Sequence, residues 1–174
     1  MKTAEDRFTQ LYERHYDAVE RYVRRRVEDI VVRDVVAEVF LVAWRRLREL
    51  PADELPWLYG TARRLLANER RGAQRRDLLA DRAAAYAEQV TRDHSDGVAG
   101  QVSVAAALQR LSETDAEALR LIAWEDLTMR QAAKAAGCSV AAFAMRLHRA
   151  RSRLRQELTP VAPIVTLRGV PSCD

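Results

Sequence analysis

Glycine and proline are scarce in this chain, six and five residues among 174, so the breaks that divide a chain into short strands and tight turns are few. Val, Ile and Thr alternating with polar residues at period two are nearly absent, which removes most of the signal for β-sheet. Ala, Leu, Arg and Glu dominate instead, residues that favour helix. Hydrophobic residues make up 48% of the sequence, enough to fill packed cores and to exclude global disorder. The composition predicts an all-α protein. Its length allows one ordinary domain or two small ones.

Cysteine is nearly missing as well. Cys138 and Cys173 are too few to make a metal site by themselves, and reduced thiols are expected rather than a disulfide framework. The N-terminal MKTAEDRFTQ has no apolar run for a signal peptide, and nothing approaches the ~18 apolar residues of a membrane span. A cytoplasmic protein is expected. There is no Gly-rich phosphate loop, metal-ligand cluster or nucleophile–base spacing, so no enzyme, metal or cofactor is expected. No internal repeat is visible.

Lysine is limited to Lys2 and Lys134, so arginine carries the positive charge, and the formal net charge is +4. Its distribution is uneven. Residues 63–76 hold six Arg against one Glu, and residues 145–155 hold five Arg and no acid. Residues 77–103 hold five acids against two Arg. Two basic patches separated by an acidic stretch suggest two contacts with a polyanion.

Apolar spacing predicts a helix over 4–28, with a stripe from Phe8 to Val27 and Arg24-Arg25-Arg26 at its cation-favouring C-terminus. A second helix is predicted over 32–50, burying Val36, Val39, Phe40, Ala43 and Leu47. Asp34, Ala37, Glu38, Leu41 and Arg45 share another of its faces. That face resembles a partner-binding strip, but on pattern alone a solvated face with one stray Leu is the simpler reading. Pro51 ends this helix, and Pro56 suits the first turn of the next. There Trp57, Leu58, Ala62, Leu65 and Leu66 can pack inward while Arg63, Arg64, Asn68, Arg70, Arg71, Arg75 and Arg76 face out. Aromatic rings for stacking beside guanidinium groups for phosphates suit single-stranded nucleic acid. A basic surface helix around a core Trp fits the same pattern equally well.

Residues 77–103 read as a helical extension and then a flexible linker, with the domain boundary near Asp93 to Gln101. A second domain of about four helices follows. Val104 to Leu111 is the first, and Ser112 caps the next. Thr128 and Gln131 form a capping box, Gly137 supplies a left-handed turn, and Ser139 caps the last helix. Helix, short Gly-containing turn, helix is the helix-turn-helix signature. In the last helix Val140, Phe143, Leu147, Ala150 and Leu154 make a core side. Arg146, Arg149 and Arg153 make a cationic side, with Met145 and His148 beside them, as a major-groove helix requires. The expected fold is therefore all-α: two small helical domains joined by a flexible linker, the second a helix-turn-helix domain.

The chain resembles the extracytoplasmic-function sigma factors, the smallest members of the sigma-70 family of bacterial RNA polymerase subunits. Asp34-Val35-Val36-Ala37-Glu38-Val39-Phe40-Leu41-Val42-Ala43-Trp44-Arg45 resembles the polymerase-binding helix of region two. Pro56-Trp57-Leu58-Tyr59-Gly60-Thr61-Ala62-Arg63-Arg64 resembles its promoter-melting helix, and residues 104–156 resemble region four. The resemblance implies a sigma factor that binds core RNA polymerase and directs promoter-specific transcription initiation. Region two, residues 1–76, would engage the polymerase clamp coiled coil through Asp34, Glu38, Leu41 and Arg45. It would capture the minus-ten element through Trp57, Tyr59, Arg63, Arg64, Asn68, Arg70 and Arg71. Region four, residues 104–158, would touch the polymerase flap and read the minus-thirty-five element through Arg130, Met145, Arg146, His148, Arg149 and Arg153. Residues 77–103 would be the linker and 159–174 an irregular tail. An anti-sigma factor is an implied partner, and nucleoid association an implied location.

Four positions depart from the family pattern. Ala144 and Met145 stand where Lys or Arg and then Ser are common, Ala37 where Gln is common, and Arg64 where Asn is common. The alternative is a stand-alone helix-turn-helix regulator, which would need a sensor or dimerisation module in residues 1–100. That half shows no receiver-like β/α alternation.

Overall fold

The computed structural model describes residues 3–85 and 104–158, and among these every regular element is a helix. The first domain holds α1 (Ala4–Arg24), α2 (Asp29–Arg45), a 3₁₀ turn at Leu47–Glu49, and α3 (Glu54–Ala85). The second holds α4 (Val104–Arg110), α5 (Glu113–Ala123), α6 (Met129–Ala136) and α7 (Val140–Leu158). The expected linker segment Asp93 to Gln101 and the tail after Leu158 lie outside the described residues.

Local chemistry sets most helix ends. Thr3 and Asp6 form a capping box at the start of α1. Ser112 accepts from the Asp115 amide at 3.3 Å, and Ser139 accepts from the Ala142 amide at 3.1 Å. Thr128 and Gln131 exchange the two expected bonds, and Gly137 takes φ +68° after α6. The first two helices differ from expectation. α1 stops at Arg24 because the chain tightens there, with the Arg26 amide bonded to the Val23 carbonyl at 2.8 Å. The predicted 32–50 helix begins at Asp29 and breaks at Arg46 into the 3₁₀ turn before Pro51.

α1, α2 and α3 pack around Leu11, Val19, Val23, Val36, Val39, Phe40, Leu58 and Ala62. α5, α6 and α7 pack around Leu121, Ala133, Phe143 and Leu147. These two cores are continuous. α6 lies between α3 on one side and α5 and α7 on the other, and its four small residues Ala132, Ala133, Ala135 and Ala136 are all buried. Gly60 on α3 makes the approach close: a Cβ there would sit 3.2 Å from the Ala135 carbonyl oxygen. The two domains pack directly on one another. Small residues on both sides let them share one hydrophobic core.

Candidate nucleic-acid interface

The face of α7 opposite Phe143, Leu147 and Ala150 carries the cations expected of a reading helix. Met145, His148, Arg149 and Arg153 are exposed, as is Arg130 on α6. Arg153 is ion-paired with the buried Asp115, which anchors the far end of this face to α5. Arg146 is turned the other way. It lines a cavity of about 190 Å³ between the domains, together with Arg63 and Arg70 from α3.

The expected minus-ten residues divide between surface and interior. Arg64, Asn68 and Arg71 are exposed, and Arg71 donates to the Asn68 side chain. Trp57 is half-buried, with the Arg46 guanidinium 6.0 Å from its ring. Arg63 donates to the Ala135 carbonyl of α6 at 3.3 Å, and Arg70 pairs with Glu113 of α5 at 2.6 Å. Tyr59, expected to stack on an unpaired base, is instead a core residue. It is 3% exposed and stacks on Tyr22 with ring centroids 4.5 Å apart. Tyr59 shares a helix face with Arg63, Leu66 and Arg70 at steps of four, seven and eleven, the side of α3 turned toward the rest of the protein, so its ring points inward. Burial, and then the Glu125 charge, push its phenol up to about 12.

On α2, Asp34, Glu38, Leu41 and Arg45 follow one another along a single exposed face. Asp34 and Glu38 line a groove against Asn68 and Glu69 of α3. The strip therefore adjoins Asn68 on the exposed face of α3.

The densest electrostatic feature lies between the domains and had no place in the sequence reading. The Arg26 guanidinium, almost fully buried, reaches Glu117 at 2.9 Å and Glu125 at 3.0 Å. It also stacks 3.5 Å from the Tyr22 ring. Tyr22 donates its hydroxyl to Glu117 at 2.6 Å, and Arg25 reaches Glu125 at 3.2 Å. Burial works against the charge on Arg26, but Tyr22, Glu117 and Glu125 outweigh it and hold the group above its ordinary value. Burial and then the Glu117 charge push the Tyr22 phenol well above its own. In the sequence Arg25 and Arg26 read only as cations at a helix end. Nothing there says that acids some ninety residues away will meet them.

Comparison with known proteins follows the same division. Residues 11–76 match Sigma-70 region 2, and residues 101–154 match Sigma-70, region 4. The chain belongs to the sigma-70 family of RNA polymerase sigma factors, and its relatives place it in the extracytoplasmic-function group. It is 37% identical over 134 residues to the "Probable RNA polymerase sigma factor RfaY" of Xanthomonas campestris pv. campestris, covering 72% of this chain and 33% of that one. It thus spans a third of that relative's length. With the extracytoplasmic-function sigma factor SigL of Mycobacterium tuberculosis it shares 28% identity over 153 residues, 85% of this chain and 86% of SigL. The solved complex of the sigma factor RpoE with the anti-sigma factor NepR from Bartonella quintana has the same fold. Its TM-score is 0.63 at 22% identity, covering 87% of this chain and 96% of RpoE. CnrH, solved with the cytosolic domain of CnrY, aligns at a TM-score of 0.59 and 26% identity, covering 86% of this chain and 85% of CnrH.

Proposed function

We propose that this chain binds core RNA polymerase through the α2 strip and directs it to promoters, with α7 reading duplex upstream and α3 holding the unpaired strand. One observation carries the reading: a single chain presents an exposed Asp34–Glu38–Leu41–Arg45 strip and, in its other domain, a capped helix-turn-helix with a cationic face. Neither surface needs a catalytic residue of its own. Phosphate contacts position a reading helix while a few base contacts specify, and polymerase supplies the remaining grip. The apolar start of α7 is compatible with this role because Arg149 and His148, a turn further on, remain exposed. Within the minus-ten surface, Arg64, Asn68 and Arg71 are presented to solvent, and Tyr59 supports the helix from behind. An anti-sigma factor is a further proposed partner, supported by the two solved relatives described with RpoE–NepR and CnrH–CnrY.

The test is reconstitution. Asp34→Arg with Glu38→Arg should weaken core-polymerase binding without moving the thermal melt, because both side chains are exposed. Unchanged affinity with an unchanged melt would reject the strip. A stand-alone regulator would bind its duplex without polymerase and ignore these substitutions.

A further inference from the structure

We propose that the cavity between the two domains is a binding site for a small phosphate monoester with a compact apolar body, held by Arg63 of α3 and Arg146 of α7. This site lies beyond the sigma-factor reading and does not depend on it.

The cavity, about 190 Å³, is walled by α1, α3, α5, α6 and α7. Its charged lining is four guanidinium groups, Arg26, Arg63, Arg70 and Arg146, against two carboxylates, Glu113 and Glu117. Arg26 is matched by Glu117 at 2.9 Å, and Arg70 by Glu113 at 2.6 Å. Glu125, which Arg26 also reaches, is shared with Arg25. Two cations are left over. Arg63 gives its Nε to the Ala135 carbonyl and meets no carboxylate among the described residues. Arg146 is half-buried, yet it has neither a hydrogen bond nor an ion pair among the described residues. A partly desolvated guanidinium without a counter-charge is costly, and two on one cavity also repel each other. A single ligand of charge near minus two, with oxygens for two planar forks, removes both costs.

Phosphate monoesters carry about −1.5 to −2 charges at neutral pH, which matches the excess. A carboxylate would leave one guanidinium unmatched. A nucleic-acid phosphodiester carries a single charge and must continue as a strand on both sides. Leu66, Ala118 and Ala136 add apolar walls that suit an organic body. Sites for drug-sized ligands run to about 300–1,000 Å³, so this one admits a single ring or a short chain. Arg146 thereby gains a role: the helix that exposes Met145 and Arg149 turns it onto the cavity.

The experiment titrates the full chain with phenyl phosphate in a calorimeter. Inorganic phosphate, benzoate and a short single-stranded oligonucleotide are the comparison probes. Phenyl phosphate should bind one per chain, about tenfold or more tighter than inorganic phosphate or benzoate. At a hundred times its Kd it should raise the melting temperature by about 5–10 °C. Arg146→Ala should weaken binding by about tenfold or more, and the loss of an unbonded side chain should leave the fold intact. Arg146→Gln, which keeps much of the side-chain length, is the second variant, with the same loss expected. Arg151→Ala removes a cation from the same helix away from the cavity and should change nothing. No saturable binding at millimolar phenyl phosphate overturns the proposal. So does an equal loss from Arg146→Ala and Arg151→Ala, which would mark diffuse attraction to a basic surface. Inorganic phosphate binding as tightly as the ester overturns the apolar body, and benzoate doing so overturns the dianion. An oligonucleotide that displaces the probe gives the cavity to a strand and overturns the small-molecule assignment.

Discussion

The two arginine-rich helices α3 and α7 look alike in sequence and stand in opposite situations in the fold. α7 buries Phe143, Leu147 and Ala150 and leaves Met145, His148 and Arg149 open to solvent. α3 buries Leu58, Tyr59, Ala62 and Leu66, then turns Arg63 and Arg70 onto the second domain. The difference teaches that clustered cations mark where a polyanion could bind, not whether that place is vacant. On α3 the chain's own carboxylates and a helix end are already there.

The strongest way to break the comparison is to remove the support of the exposed helix. Phe143 is fully buried in the continuous core, and Phe143→Ala should cost about 3–5 kcal/mol. With α6 seated on α3, the loss should lower one cooperative transition seen by probes in both domains. If circular dichroism and the fluorescence of a variant with Trp124 replaced by Phe, which reports the first domain alone, give separate melts, the shared core does not couple the two halves.

Alkaline pH probes the covered helix specifically. Tyr59 has its ordinary value of 10 when unfolded and about 12 when folded. Below pH 10 the phenol is protonated in both states and its contribution is complete. Between pH 10 and 12 the unfolded chain releases the proton and the folded chain keeps it, so stability falls as pH rises, by up to about 3 kcal/mol across the window. Tyr22, also raised, adds in the same direction. Denaturant melts at stepped pH should show this decline, and Tyr59→Phe should make it shallower. A pH-independent stability up to 12 would mean that the ring is not buried in solution.

Much of this contrast was out of reach of the sequence, for identifiable reasons. The caps at Ser112, Thr128, Gly137 and Ser139 were legible because each acts within a few residues of itself. The exposed face of α2 and the core side of α7 follow helical spacing and were legible too, but that spacing alone favoured a plain solvated face on α2, and it set Arg146 beside Arg149 where the structure turns it toward α3. Tyr59 was misplaced because an aromatic among arginines suits base stacking and core packing alike, and only the Tyr22 ring decides between them. The Arg26–Glu117–Glu125 cluster joins residues about a hundred positions apart. Periodicity within one helix carries no information on such a pairing. The close approach of α6 to α3 depends on Gly60 meeting Ala135, and small residues leave a weak pattern.

Removing one cation from each helix sharpens the comparison at the level of function. Arg149→Ala on exposed α7 should weaken closed-complex formation by about 1–3 kcal/mol if the side chain grips a base, and should matter less on a pre-melted template. Arg63→Ala should act at the other stage, damaging capture of the open strand and sparing upstream duplex contact. Footprinting and abortive transcription by reconstituted holoenzyme on closed and pre-melted promoters separate the two. Equal losses by both variants on both templates would remove the proposed division of labour.

The smallest change tests the seat of α6 on α3. Gly60→Ala should gain roughly 1 kcal/mol of helix propensity, and it gains this whether the domains are together or apart. Only the packed form meets the cost, because the new Cβ would lie 3.2 Å from the Ala135 carbonyl oxygen. That oxygen belongs to the backbone of a packed helix and cannot swing aside as a side-chain tip would. Overpacking of this kind costs about 1–3 kcal/mol. The same oxygen accepts from Arg63, so displacing it also weakens that bond. The propensity gain offsets the packing cost in a melt but drops out of the balance between packed and separated domains, where the packing cost and the weakened Arg63 bond act alone and shift it toward separation. Small-angle scattering should therefore show a modest expansion of Gly60→Ala at nearly unchanged melting temperature, and a larger one for Gly60→Val, whose branched side chain has less room still. If the valine variant keeps the compactness of the parent, α6 does not sit on Gly60 in solution, and the contrast between a covered α3 and an open α7 loses its structural basis.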